Sequence, residues 1–392
     1  MAPGPVAHSV CVDSSTTGTV EASKMINSRS DQLQVTWEDG LTHSFHPMWL
    51  RERSFEPTNK DPRTGHRLDE VALLPLDLSI GEAVESERNI SLVFSDGHSC
   101  TYALDDLRRQ VEHPYPVDLT GAKQLWRSSV ETWPLHDAEA VLSSDDACLA
   151  LTADLARVGF VIVDALGSQE DDLGRLCARF GPIRPTNWGL IADVKSIASA
   201  WDLSMTGRAL EPHVDNPYRL PGPGYILLHC LINSANGGDS FLIDGFGIAD
   251  QVRCSDPEAF DVLCTTNVGF HYADHDAILD HCGPLIELGP DGALFRVRFH
   301  NRADQVPAHD KALLDRYYRA RRTMAELIWS EDNNLRFRLE PGQVLFIDNY
   351  RLFHGRTKID LASGDRHLRQ CYLDRDTVSS CQKRILRTLQ HV

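Results

Sequence analysis

The sequence predicts a mostly β protein with helices, in which a small β-rich N-terminal domain precedes an antiparallel barrel or double-sheet jelly roll decorated by helices. Three observations predict it. Short strand-like runs separated by Asp-Gly pairs fill residues 31–115, many further strand-like runs follow residue 146 at irregular spacing, and only a few helical patterns interrupt them. At 392 residues the chain is long enough for two domains, given a usual size of roughly 100–200 residues each.

Residues 1–30 read as a disordered tail, because MAPGPVAHSVCVDSSTTGTVEASK has neither the basic nor the apolar region of a secretory signal. In the N-terminal domain, 31–115, LQVTWEDG, LTHSFHPMWLRER and NISLVFSDGHSCTYAL read as strands, with hairpins at Asp39-Gly40 and Asp96-Gly97. The polar, proline-containing stretch VEHPYPVDLTGAKQLW opens a linker assigned to 116–145. From 146 to 392, DDACLALTADLARVGFVIVDAL predicts an amphipathic helix and a strand, and SQEDDLGRLCARFGPI a second helix stopped by Gly181-Pro182. GYILLHCLI, DSFLIDGF, ALFRVRFHN, NNLRFRLEPGQVLFIDN and RHLRQCYLD read as strands, and DKALLDRYYRARRTMAELIWSE as a long helix among them.

Composition narrows the partners. The formal net charge of -17, without a Lys/Arg cluster, excludes nucleic acid as an expected partner. No apolar run approaches the roughly 20 residues needed to cross a bilayer, so a soluble protein with no membrane partner is expected. Ten cysteines without paired spacing point to free thiols in a reducing compartment, with cytoplasm as the default.

The candidate chemistry lies in three places. His213 and Asp215, two apart in LEPHVDNPYR, share one face of an extended strand. Alone, such a pair is commonly a solvated strand end. His354 in FIDNYRLFHGR supplies a second imidazole, and two imidazoles with one carboxylate on one face of an ion leave three positions open, the facial arrangement of non-haem Fe(II) oxygenases. A 2-oxo acid and O2 fit those positions. Arg366 follows twelve residues later, where its planar fork suits the distal carboxylate of 2-oxoglutarate.

With those residues in place, His213-x-Asp215, GGDSFLIDGF, LEPGQVLFIDNYRLFHGR and RHLRQCYLDRD resemble the γ-butyrobetaine hydroxylase and trimethyllysine hydroxylase family, and VTWEDG and WLRER resemble its small N-terminal domain. The likeness covers roughly residues 31–390. It implies a double-stranded β-helix core that couples oxidative decarboxylation of 2-oxoglutarate to hydroxylation of an unactivated C–H bond. It also implies Fe(II) at His213, Asp215 and His354, cosubstrate at Arg366 with Ser240, and a homodimer. Relatives often carry cysteines after the WLR segment that hold structural zinc with a later His. Here RERSFEPTNKDPRTGHRL has none and leaves His98 isolated, so no structural zinc is expected.

For the substrate, the family encloses a trimethylammonium group in aromatic faces. The matching wall offers Trp188, Trp201 and Tyr372, with Met205 where relatives show Tyr; core packing is the alternative reading of the two tryptophans. Asn301 stands where the family binds the substrate's carboxylate, Arg302 beside it suits an acidic head, and Asp193 or Asp202 suits an amine. The expected substrate is a small zwitterionic ammonium compound of γ-butyrobetaine type. The alternatives are the same chemistry on another small amine, phosphonate or secondary metabolite, by hydroxylation or desaturation, or a non-catalytic binding protein on the same scaffold. A metal-dependent hydrolase leaves Arg366 without a role.

Overall fold

A computed structural model describes residues 25–112, 123–128, 133–195 and 206–389. The chain divides into two compact units, Met1–Val117 and Asp118–Val392.

The first unit contains β1 (Met25–Arg29), β2 (Gln32–Thr36), β3 (Thr42–Phe45), α1 (Pro47–Arg51), β4 (Ile80–Glu85), β5 (Asn89–Phe94), β6 (Ser99–Ala103) and α2 (Leu104–Glu112). They form two three-stranded sheets, β1-β2-β3 and β4-β5-β6. Alternation drives the packing: Ile90, Leu92 and Phe94 of β5 are buried and the residues between them exposed. Both Asp-Gly pairs lie at hairpin turns, with Gly40 and Gly97 at positive φ. Two expectations need correction. Residues 25–29, assigned to a tail over 1–30, form β1 and pair along its length with β2, while the rest of that expectation, at 1–24, lies outside the described residues. The run LTHSFHPMWLRER is strand only to Phe45, since Pro47 enters the first turn of α1 and His46 caps it by accepting from the Met48 N–H at 3.1 Å. His98, isolated from any thiolate in the sequence, bonds Ser54 Oγ at 2.8 Å, while Arg51 pairs with Asp69 at 3.0 Å and Asp96 at 2.9 Å.

The second unit runs β7 (Leu135–Asp137), α3 (Ala138–Ser143), α4 (Asp145–Val158), β8 (Phe160–Asp164), α5 (Asp172–Phe180), β9 (Ala192–Lys195), β10 (Leu210–His213), β11 (Tyr225–Asn233), β12 (Asn236–Gly237) and β13 (Ser240–Asp244). It continues with α6 (Gly245–Ser255), α7 (Pro257–Thr265), β14 (Val268–Ala273), β15 (Ile278–Gly283), β16 (Ile286–Leu288), β17 (Leu294–Val297), β18 (Asp304–Gln305) and α8 (Lys311–Trp329). The last elements are β19 (Leu335–Phe337), β20 (Val344–Asp348), β21 (Leu352–Arg356), β22 (Ile359–Asp360), β23 (Arg366–Leu373) and α9 (Arg375–Leu389). The linker expectation thus falls short: β7 pairs in parallel with β8, and Asp137 caps α3, so residues 135–143 belong to this unit.

Two sheets make the jelly-roll core, with strand orders β7-β8-β20-β11-β23-β9 and β10-β21-β13-β19. Strands β8 and β20 of the larger sheet are apolar on both faces, as strands covered on both sides require. Phe160, Ile162, Ile226, Leu345, Ile347, Leu368 and Tyr372 pack in a cluster with Leu242, Leu335 and Leu352 of the smaller sheet. Their neighbours Val161, Val163, Leu227, Val344, Phe346, Cys371 and Leu373 pack under α3, α4, α5 and α9. A third cluster, with α6, α7 and α8, covers the outer side of the smaller sheet through Phe241, Ile243 and Phe353. The sequence patterns for α4, α5 and α8 correspond to these helices; α6 and α7, in an apolar stretch without a clean period, were not anticipated.

A fully buried ion pair joins the layers. Arg351, in the turn between β20 and β21, donates from Nε to Asp244 Oδ1 at 2.9 Å and from Nη2 to Oδ2 at 2.7 Å. It also donates to the carbonyls of Arg157 and Gln124. Asp244 in turn caps α6 and accepts from the Trp126 N–H. Removing one partner strands a desolvated charge, at a cost of about 3–5 kcal/mol. Arg351→Met and Asp244→Ala should each lower the melting temperature by roughly 6–20 °C in calorimetry, at about 2–4 °C per kcal/mol, and the double substitution should lose less than the sum.

Candidate metal centre

Register brings the two imidazoles together. β10 and β21 are antiparallel, and His213 lies directly opposite His354, with ring centroids 4.4 Å apart. β21 is a central strand whose other neighbour, β13, sets Leu242 opposite His354 and Ser240 opposite Arg356. This crowding explains Gly355 between them. A Cβ there would lie 2.3 Å from Phe241 Cζ and 2.5 Å from the Leu210 carbonyl, so no larger residue fits.

Asp215 stands just beyond β10, where the chain turns through Asn216 at φ 50°, a left-handed conformation that Asn tolerates. The Asn349 side chain locks that backbone: its Oδ1 accepts from the Asp215 N–H at 2.8 Å, and its Nδ2 donates to the Asp215 carbonyl and to the Pro223 carbonyl, each at 3.0 Å. Asp215 Oδ1 then lies 3.3 Å from His213 Nε2 and 3.7 Å from His354 Nε2. The three ligand atoms lie within 4.8 Å of one another, and this is the one such group of His, Cys, Asp and Glu among the described residues.

The electrostatics suit a cation. His213 Nδ1 bonds the Glu211 carbonyl at 2.8 Å, which places the proton on Nδ1 and leaves Nε2 as the ligand atom. Burial, then the His213 ring, pushes His354 down to about 3, so it is a neutral donor. Burial acts to raise the Asp215 carboxyl, but the His354 and His213 rings and the Tyr372 hydroxyl outweigh it and hold the group far below the usual carboxylate range. Two imidazoles and one carboxylate match the donor set of Fe(II).

Arg366 and Ser240, expected to bind the cosubstrate, lie buried in the second unit. Arg366 is 7% exposed, its Nε has no hydrogen-bond partner, and no carboxylate among the described residues pairs with it. Burial pushes it down to about 10, which leaves it charged at neutral pH. A buried, uncompensated guanidinium is costly unless an anion joins it, and a 2-oxo diacid supplies one. Ser240 is buried at the start of β13. Gly238, at φ +71°, lets the preceding turn back onto Arg366, where a Cβ would come 3.2 Å from its Cδ.

The substrate expectations fare unevenly. Trp201, Asp202 and Met205 lie outside the described residues. Trp188 is half-buried, edge-on to Tyr272 with centroids 5.5 Å apart, and carries the Arg219 guanidinium 5.9 Å over its ring. Asn301 and Arg302 are exposed, and the Arg302 charge is felt at Glu211, His300, His354 and Arg356. Asp193 is engaged by His367 at 2.7 Å and Arg369 at 3.5 Å. Tyr372, expected as a cage wall, is buried and donates its hydroxyl to Asp215 Oδ2 at 2.9 Å. Burial and the Asp215 carboxylate push that hydroxyl well up, so it keeps its proton. Asn349, Gln370 and His300, whose ring lies 5.3 Å from His213, were missed. Only Gln370 carried a signal, since it shares the strand face of Arg366 and Tyr372.

Known proteins resemble this chain along most of its length. Residues 127–372 match the family described as "Taurine catabolism dioxygenase TauD, TfdA family", and residues 25–108 match "Gamma-butyrobetaine hydroxylase-like, N-terminal". The chain is 31% identical over 355 residues to a gamma-butyrobetaine dioxygenase of Pseudomonas sp., covering 89% of this chain and 92% of that one. It is 27% identical to the gamma-butyrobetaine dioxygenase of Homo sapiens, covering 91% and 94%, and 27% identical to the mitochondrial trimethyllysine dioxygenase of Gallus gallus, covering 89% and 84%. No helix among the described residues is long and apolar enough to cross a membrane. The chain belongs to the TauD, TfdA dioxygenase family, and is a 2-oxoglutarate-dependent dioxygenase that uses Fe(II), 2-oxoglutarate and O2.

Proposed function

We propose that the chain hydroxylates an unactivated C–H bond of a small zwitterionic ammonium compound of γ-butyrobetaine type. His213, Asp215 and His354 hold the iron, and Arg366 with Ser240 seats 2-oxoglutarate. The convergence of His213 Nε2, Asp215 Oδ1 and His354 Nε2 within 4.8 Å carries this reading, and the names of the relatives support the substrate class. When bound, iron and cosubstrate would supply the oxidising chemistry, in which O2 and 2-oxoglutarate yield succinate, CO2 and an oxygen atom for the C–H bond.

The chain's own residues supply position and charge. Arg366 binds the distal carboxylate, so the 2-oxo end of the diacid turns toward the ligands. His354, held neutral by burial, adds no repulsion to a cation. Arg302, exposed and charged at the rim, attracts the acidic end of a zwitterion. A second reading, the same chemistry on a different small amine, is favoured by one observation: Arg219 already covers one face of Trp188, leaving less aromatic surface for a trimethylammonium group. A cytoplasmic homodimer remains part of the proposal, on composition and family likeness.

Purified enzyme with Fe(II), 2-oxoglutarate and O2 should form succinate in proportion to added γ-butyrobetaine, and a panel of small amines and phosphonates ranks the alternatives. His213→Ala, Asp215→Ala and His354→Ala should each abolish that signal in folded protein; turnover by Asp215→Ala would remove the ligand assignment. Arg366→Ala should raise the KM for 2-oxoglutarate about tenfold to a hundredfold, since a hydrogen bond to a charged group is worth about 1.5–3 kcal/mol. An unchanged KM would place the anchor elsewhere. Arg302→Ala should raise the KM for γ-butyrobetaine but leave an amine without an acidic group unaffected.

A further inference from the structure

We propose that Gln370 and Tyr372 are positioning residues for the metal carboxylate, holding Asp215 Oδ2 so that Asp215 presents Oδ1 alone to iron. This rests on the reading of His213, Asp215 and His354 as ligands. Gln370 Nε2 donates to Asp215 Oδ2 at 2.6 Å and reaches the Tyr372 hydroxyl oxygen at 2.7 Å, and that hydroxyl donates to the same Oδ2 at 2.9 Å. The hydrogens balance. The amide has two N–H and the phenol one O–H, so three hydrogens make three bonds, and the count fixes which end of the Gln370 amide faces the carboxylate.

The consequence for a metal follows from what is left. Oδ2 accepts two hydrogen bonds, while Oδ1 faces the two Nε2 atoms. A carboxylate held this way binds through one oxygen. With two imidazoles, it then occupies three of six positions, leaving two for a chelating 2-oxo acid and one for a further ligand. A carboxylate free to turn and bind through both oxygens would take one of those positions. The Asp215 backbone is already fixed by Asn349, so the side-chain torsions are what Gln370 and Tyr372 constrain. Tyr372 also packs in the core between the sheets, and replacing it with Phe keeps the ring while removing only the hydroxyl.

The test is anaerobic titration of the full chain with Co(II), read by its visible absorption bands, beside thermal melting of the metal-free protein. Tyr372→Phe and Gln370→Met should each weaken Co(II) about tenfold, and the double variant about a hundredfold, as partners that orient metal ligands typically do; the double variant's bands should also change shape. Leu368→Ala, on the same face of β23, should lower the melting temperature and leave Co(II) affinity unchanged. Asp215→Ala separates the two readings. If it binds Co(II) like the parent, the ligand assignment falls. If it loses Co(II) while the double variant keeps affinity within twofold and unchanged bands, the positioning role is overturned and the ligand assignment stands. Should Tyr372→Phe not fold, Gln370→Met, at a half-buried position, decides the matter by the same twofold criterion.

Discussion

The buried pair between Arg351 and Asp244 is the constraint on which the centre's geometry depends. Both side chains are wholly removed from solvent, and a pair so placed adds little net stability, because desolvation offsets the attraction. What it supplies is specification. The pair fixes the turn between β20 and β21 against the end of β13, the start of α6 and the last turn of α4. Asp348, at the end of β20, adds a second tie by accepting from Arg375 at 2.5 Å and from the Tyr350 N–H at 3.0 Å. Within that one turn, Asn349 locks the Asp215 backbone, and three residues past Arg351 stands His354. Two of three ligands therefore take their positions from a four-residue segment that cannot shift without exposing or stranding a charge.

The third ligand is set by register. His213 is opposite His354 on an antiparallel neighbour, and a slip of one residue would turn its side chain to the other face of the sheet. Gly355 enforces the same arrangement sterically, since β21 passes too close to Phe241 and Leu210 for any side chain. The HGR sequence thus reads as one ligand, one close approach and one buried guanidinium. That guanidinium, Arg356, donates to the Arg208 carbonyl at 2.7 Å and to the Thr206 carbonyl at 2.5 Å. It thereby holds the chain that leads into β10.

Much of this was legible in the sequence because the signals were local or ordered along the chain. His213-x-Asp215 has strand spacing, His354 follows an apolar strand, and Arg366 follows at an interval that allows a return strand. The same locality explains the failures. Pro47 outweighed the β pattern of LTHSFHPMWLRER, and LHD at 135–137 joined the sheet through parallel pairing that no local pattern encodes. Asn349 appeared as a turn residue, and only the tertiary fold reveals that its amide meets Asp215, 134 positions away. The sequence offers Tyr372 as an aromatic ring, and only the fold reveals that its hydroxyl reaches Asp215. Trp188 was read by its ring too, without the Arg219 that lies over it.

Strand β23 shows why these parts belong to one device. Its alternation sends Arg366, Leu368, Gln370 and Tyr372 to one face and His367, Arg369, Cys371 and Leu373 to the other. The first face carries Arg366, the proposed cosubstrate anchor, at one end and the two donors to Asp215 at the other. The second is fastened in the helical layer, where Cys371 and Leu373 pack against α5 and α9 and His367 and Arg369 hold Asp193 of β9. A strand with eight pairings to β11 thus couples the orientation of the Asp215 carboxylate to the proposed seat of 2-oxoglutarate at Arg366. Any displacement of β23 moves both together, which preserves their spacing even when the strand as a whole shifts.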